Sequence, residues 1–360
     1  MRHFGRSRVL AGLTVLLLVL AACGDGAETT TTAGDGVPTT TAVGGEEATT
    51  SAAGGEMMAI TITLPVNSPN MYGYKVAAAE GFFAEEGLDV TLEYVDGAGA
   101  SIQAMLAGNS EFASVGTGNV AQALEEGHEN IRAVGNTNYG SVFLLTVPEE
   151  SDIQSPADLE GTRVGISELS GGEVPVVRGI ISAAGFNPDT DVELVPIGTG
   201  TALAVQAIDE GQVDAYGGSI NDIIAVEVQG LDLRTLDPGD LGGVPALPIV
   251  TTQEFIDSNP DAVEGMLRAV ARAGAFGQTN PEETLAILME ENPEQFTDET
   301  GELIFEAVLD LWQPPEGELF HSQTVESWEY FFDVIAVELP GGADLGTVIV
   351  DDFVEAANEF

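Results

Sequence analysis

Cysteine, histidine and lysine are nearly missing: one Cys, three His and one Lys in 360 residues. A lone cysteine excludes an internal disulfide, and three scattered histidines exclude a His/Cys metal cluster. Neither a metal nor a cofactor is expected. Bases are scarce, with Lys+Arg at 10 against Asp+Glu at 59 and a net charge of -49. A chain this acidic repels phosphate backbones, which excludes nucleic acid as a partner. The patterns G-x-S-x-G, Walker loop, CxxC and HExxH are absent. No catalytic residues are assigned, and the chain is not read as an enzyme. Nor does any apolar run reach the ~20 residues a spanning helix needs.

What is present starts with three bases, Arg2, Arg6 and Arg8, followed by the apolar run Val9 to Ala22. Together they fit a secretory signal peptide over 1–22. Leu20-Ala21-Ala22-Cys23 resembles a bacterial lipobox, and the chain's single cysteine sits where a thioether lipid attaches. Cys23 is therefore expected to be lipidated and to hold the protein outside the cell membrane. Residues 23–58 are rich in Thr, Gly and Ala without apolar periodicity. Such a segment cannot offset its chain entropy by burial and is expected to be a disordered tether, reaching about 30–35 Å.

From about Ala59 the pattern changes to strands alternating with helices. Strands are expected at 60–66, 90–95, 111–115 and 140–148, with helices at 74–87, 101–108 and 119–127. The order then restarts. A short helix at 155–161 precedes strands at 162–167, 191–197 and 213–218 and helices at 173–185 and 201–211. Gln103, Ala104, Met105 and Gly108 align with Gln206, Ala207, Ile208 and Gly211, and Glu111 aligns with Asp214 at the same offset of 103. Two α/β lobes with mainly parallel sheets are expected. Lobe one spans 59–142 and lobe two 143–245. Residues 246–360 return to lobe one as a helical tail, whose Trp328, Phe331, Phe332 and Ile335 are read as core. Two crossings, near Asn136–Val147 and Val244–Thr251, suit a hinge.

In open α/β sheets, ligands bind beyond the carboxyl ends of the strands, where free N–H groups at helix starts point outward. Six loops there are rich in Gly, Ser, Thr and Asn. Lobe one offers Asn67, Ser68 and Tyr72; Gly97 and Ser101; and Gly116, Thr117 and Asn119. Lobe two offers Ser170, Gly171, Gly172 and Glu173; Thr199 and Thr201; and Gly218, Ser219 and Asn221. Any one loop is ordinary turn chemistry, but the repeat places all six at matched positions. Tyr72, Tyr139 and Tyr216 are candidates for stacking on a flat ring. Glu111 and Asp214 are expected to be held by backbone N–H groups. Lys75 reads as a surface residue, and His128 and His321 as solvated.

The segments 77–97, 105–118, 157–167, 210–218 and 255–290 resemble NMT1/THI5-like periplasmic binding proteins. That group includes receptors of ABC importers for sulfonates, taurine, nitrate and thiamine-precursor pyrimidines. The resemblance implies a hinged, two-lobed type II receptor. It would close on one small solute as a monomer and deliver it to a permease and ATPase. Its enzymatic branch uses a cysteine-rich motif with lysine and histidine, which this chain lacks. Glu168 and Glu173 flank one pocket loop, and a fixed carboxylate there disfavours a doubly charged anion. A neutral, cationic or zwitterionic solute of the thiamine-precursor type is expected, with a small sulfonate or nitrate as the alternative; a pyrimidine-synthase-like enzyme or a ligand sensor on the same scaffold is the alternative from another class.

Overall fold

The computed structural model describes residues 57–169, 171–200, 202–239, 245–334 and 344–360. The signal peptide, Cys23 and nearly all of the tether lie outside the described residues, as do Ser170, Thr201 and Ile335. The first strand starts at Met58, so folded structure begins inside the segment assigned to the tether.

The first sheet contains β1 (Met58–Leu64), β2 (Leu88–Tyr94), β3 (Phe112–Ser114), β4 (Ile131–Asn136) and a strand from much later, β10 (Pro248–Thr252). Its order is β2-β1-β3-β10-β4. The second contains β5 (Phe143–Pro148), β6 (Arg163–Ile166), β7 (Glu193–Pro196), β8 (Ala215–Ser219) and β9 (Leu233–Thr235), in the order β7-β6-β8-β5-β9. Each sheet has three parallel strands, β2-β1-β3 or β7-β6-β8. Each also has two further strands joined by antiparallel pairing. The antiparallel insert, β10 or β5, is supplied by a crossing from the other lobe. β4 is not among the expected strands and carries little strand signal, because IRAVGN has an arginine, a glycine and an asparagine in six residues.

Between the strands of lobe one run α1 (Tyr72–Ala79), α2 (Phe82–Glu85), α3 (Ala98–Leu106) and α4 (Thr117–Glu125). Gly81, at φ 76, splits the one helix expected over 74–87 into α1 and α2. Only glycine adopts that left-handed backbone without strain. Lobe two carries α5 (Glu173–Ala183), α6 (Ala202–Asp209) and α7 (Ile220–Val228). Ser155 and Asp158 form a capping box at the start of a short 3-10 turn, within the short helix expected over 155–161.

The tail supplies α8 (Gln253–Ser258), α9 (Pro260–Thr279), α10 (Pro281–Glu291), α11 (Thr300–Leu309), α12 (Val325–Val334), α13 (Leu345–Val348) and α14 (Val354–Ala357). α9 buries a face rich in Ala, Val, Met and Leu against α1 and α2 of lobe one and against α14 of the tail itself. The tail also reaches lobe two: α11 packs on α7, and α12 packs on α5. Trp328 and Phe332 join a lobe-one core while Phe331 joins a lobe-two core.

The repeat holds in three dimensions. Thr61 N–H donates to Glu111 Oε2 at 2.6 Å, and Arg163 N–H donates to Asp214 Oδ2 at 2.9 Å. In both lobes an acid just before the third parallel strand pins the backbone of the first.

Candidate functional site

All six strand-end loops converge on one cleft between the lobes, enclosing a cavity of about 290 Å³. That is just below the usual range for small-molecule sites. From lobe one come Pro65, Val66, Asn70 and Met71; then Asp96, Gly97 and Ala98; then Gly116 and Asn119. From lobe two come Ser167, Glu168, Gly171, Gly172 and Glu173; then Thr199; then Ser219, Asn221 and Asp222. Val142, Phe143 and Leu247 complete the lining from the two crossings. A larger hollow of about 930 Å³ is an open groove between α4 and α5 that shares only Gly171 with the cleft lining. It lacks the convergence of strand ends, so the cleft is the candidate site.

Charge is the cleft's plainest property. Asp96, Glu168, Glu173 and Asp222 line it, and no Lys, Arg or His does so among the described residues. Glu173 opens α5 and is 3% exposed. Its Oε1 accepts Ser167 N–H at 2.8 Å and also the Ser167 hydroxyl. Burial raises the Glu173 pKa; its bonds to Ser167 oppose that, and the nearby Asp222 charge adds to it. Asp222 closes a capping box with Ser219 at the start of α7. Its pKa is also raised by burial, against the Ser219 bonds. Both carboxylates sit at helix N-termini, where a negative charge is favourable. Across the cleft, Asn119 in the first turn of α4 is 4% exposed. Its Oδ1 has no hydrogen-bond partner among the described residues. An unpaired buried amide oxygen is costly, and a solute N–H relieves that cost.

Phe143 was not anticipated. A Cβ built on Gly116 falls 3.3 Å from its ring, and one built on Gly172 falls 2.8 Å away. These two glycines, from opposite lobes, leave room for that ring rather than only for a solute. A hydrophobic strand residue carries no sequence signal that separates cleft from core.

Several expected site residues lie elsewhere. Tyr72 is wholly buried, 4.6 Å from the Trp312 ring centroid and 5.6 Å from that of Phe305, so it belongs to the core. Tyr216 is also core, and its hydroxyl bridges Gly198 O and Gly200 N–H at 3.2 Å each. Tyr139 turns toward the tail, donating its hydroxyl to Leu319 O at 3.1 Å. Ser101 is buried beneath the cleft, its carbonyl accepting from Thr63. The Thr117 hydroxyl donates to Pro245 O. A Cβ on Gly218 would face Asp222 and Tyr216. Asn67 faces Lys75, and Ser68 meets Asn221 across the cleft.

Two charge expectations are corrected. Lys75 is 3% exposed rather than on the surface. His321 is 1% exposed rather than solvated, with Nδ1 3.1 Å from Asn136 O and Nε2 2.8 Å from Leu267 O. Its Cβ fills the space beside Gly135 of β4, the strand missed in the sequence. No group of three or more potential metal ligands occurs among the described residues, and no helix there is long and apolar enough to cross a membrane.

Two α/β lobes, each with an antiparallel strand lent through a double crossing and a solute-sized cleft between them, define a solute-binding protein of the periplasmic binding protein fold. The family model described as NMT1/THI5 like matches residues 68–284, and the chain belongs to that family. The formylaminopyrimidine-binding protein of Halalkalibacterium halodurans is 26% identical over 264 residues, 71% of this chain and 77% of the relative. The riboflavin-binding protein RibY of Chloroflexus aurantiacus is 26% identical over 247 residues, 67% of this chain and 68% of the relative. The periplasmic aliphatic sulphonate binding protein SsuA from Escherichia coli shares the fold at TM-score 0.66 and 20% identity, covering 81% of this chain and 92% of SsuA.

Proposed function

We propose that this protein is the extracytoplasmic receptor of an ABC importer, capturing a small, neutral or cationic nitrogen heterocycle of the thiamine-precursor type. In this reading it acts as a monomer tethered to the membrane through lipidated Cys23, and it hands its solute to a permease driven by an ATPase. It performs no chemistry on the solute.

The observation that carries the solute class is the cleft's charge: four carboxylates line it and, among the described residues, no base does. Glu173 and the unpaired Asn119 Oδ1 both present acceptors. A ring with exocyclic amino groups supplies the matching donors, and Phe143, Val66 and Met71 supply apolar contact for its faces. Both curated relatives named above bind nitrogen heterocycles, which agrees with this reading. A sulfonate or nitrate would have only the helix N-termini to offset four carboxylates, so the anion receptor is the second reading.

Thermal-shift titration tests this with an aminopyrimidine, riboflavin, taurine and nitrate as probes. Stabilisation that grows with ligand concentration is expected for the heterocycles only. A response to taurine or nitrate alone would overturn the solute class. Native mass spectrometry of the purified chain reads any co-purified solute directly. Turnover of that solute, with a product of different mass, would instead establish an enzyme.

A further inference from the structure

The chain's only lysine lies behind the cleft, not in it. Lys75 stands in the first half of α1 and is 3% exposed. Its Nζ donates to Asn67 Oδ1 at 2.7 Å and lies 5.7 Å from the centroid of the Tyr94 ring. No carboxylate lies within ion-pair distance of it among the described residues. A buried ammonium without a carboxylate partner is expensive. Here a neutral amide and an aromatic face supply the compensation.

The amide it holds lies at the centre of the loop between β1 and α1. The Asn67 carbonyl accepts from Gln295 Nε2, so two side chains grip this residue from behind. The next residue, Ser68, receives Asn70 N–H at 3.2 Å and donates to Asn221 Oδ1 of lobe two at 3.0 Å. On either side, Val66 and Asn70 line the cleft.

We propose that Lys75 is a positioning residue for solute capture, holding the β1–α1 loop in the geometry that lets Ser68 meet Asn221 across the cleft. The word capture rests on the receptor reading above; the coupling of Lys75 to Asn221 does not. The titratable groups that face Lys75 are Tyr94 of β2 and Glu291 of α10. Burial draws the Lys75 pKa from 10.5 down to about 8, with Glu291 opposing the shift. Burial and Glu291 together push the Tyr94 phenol up to about 12, so it stays neutral while Lys75 titrates.

Hydrogen exchange on the full chain tests the coupling without any solute, so it can succeed or fail independently of the solute class. Lys75→Met is expected to lower protection of the segment containing Asn221 by roughly three- to tenfold, the equivalent of one hydrogen bond. Ser68→Ala should give the same loss, and the double variant no more than either alone. Lys75→Arg, which keeps the charge and the donors, should retain protection. Should Lys75→Met fail to fold, Asn67→Ala removes the acceptor and is read in the same way. Unchanged protection at Asn221 in a folded Lys75→Met or Asn67→Ala chain would overturn the proposal, as would a folded Lys75→Arg chain that behaves like Lys75→Met. A second readout uses lysine labelled at Cε, where a single side-chain signal reports this residue. It should titrate below the ordinary 10.5, as burial of the ammonium requires.

Discussion

The Ser68 hydroxyl donates to Asn221 Oδ1 at 3.0 Å, joining residues 153 positions apart on opposite lobes. The bond closes one side of the cleft and is made by side chains from the loop after β1 and from the first turn of α7, which follows β8. Ser68→Ala should weaken solute affinity about fivefold, the effect of losing one neutral hydrogen bond. Asn221→Ala should do the same, and calorimetric titration with the co-purified solute measures both. Full affinity in both variants would mean that the contact plays no part in capture.

Phe143 makes a packing prediction. Gly172→Ala places a Cβ 2.8 Å from its ring, and a Cβ on Gly116 would lie 3.3 Å from the same ring. Overpacking of this kind costs about 1–3 kcal/mol. A lower melting temperature and weaker solute binding are expected together. Phe143→Leu in the Gly172→Ala background should recover part of both, because it removes the clash.

Glu173 sets stability against function. Glu173→Gln keeps an oxygen to accept both Ser167 donors and removes a buried negative charge. A gain of about 0.5–2 kcal/mol is expected near neutral pH, as for other functional residues held at a cost to stability. Binding of a cationic solute should weaken in the same variant. The pH dependence follows from the raised Glu173 pKa. The folded state holds this proton more tightly than the unfolded chain does. Its contribution to stability is therefore present at low pH and is lost as pH rises through the folded pKa. Cation affinity should run the opposite way, rising as the carboxyl ionises. Titrations at several pH values on the native and Gln chains should show that slope only in the native one.

Asp214 has the contrary sign. Desolvation pushes its pKa up, but the side-chain and backbone bonds from Arg163 outweigh that and hold it low. Its stabilising contribution is present above the unfolded pKa and is lost as pH falls through the folded value. Asp214→Asn should flatten the acid limb of a melting-temperature profile. The effect should be small, because the Arg163 and Asp214 side chains are each more than a third exposed.

Much of this architecture is legible in residue order. The matched segments around Gln103 and Gln206 and the paired acids Glu111 and Asp214 mark two copies of one β-α-β unit. Strand-end glycines point to where the loops gather. The tyrosines were misjudged because ring size and polarity are the same in a core and in a cleft. Only the neighbours Trp312 and Phe305 make Tyr72 a core residue. His321 and Lys75 were misjudged for a related reason: isolated polar residues read as surface until their buried partners are known.

Local chemistry alone determined the alternating elements, the two-lobe repeat, the acidic character and the family, because hydrophobic period and turn residues act over a few neighbours. Only the tertiary structure decided that β5 and β10 each insert antiparallel beside the third parallel strand of a sheet. It also decided that Phe143 packs against two glycines from opposite lobes, and that four carboxylates share one small cavity with no base among the described residues. Those relationships join residues far apart in the chain, and the packing that brings them together is set by the whole fold at once.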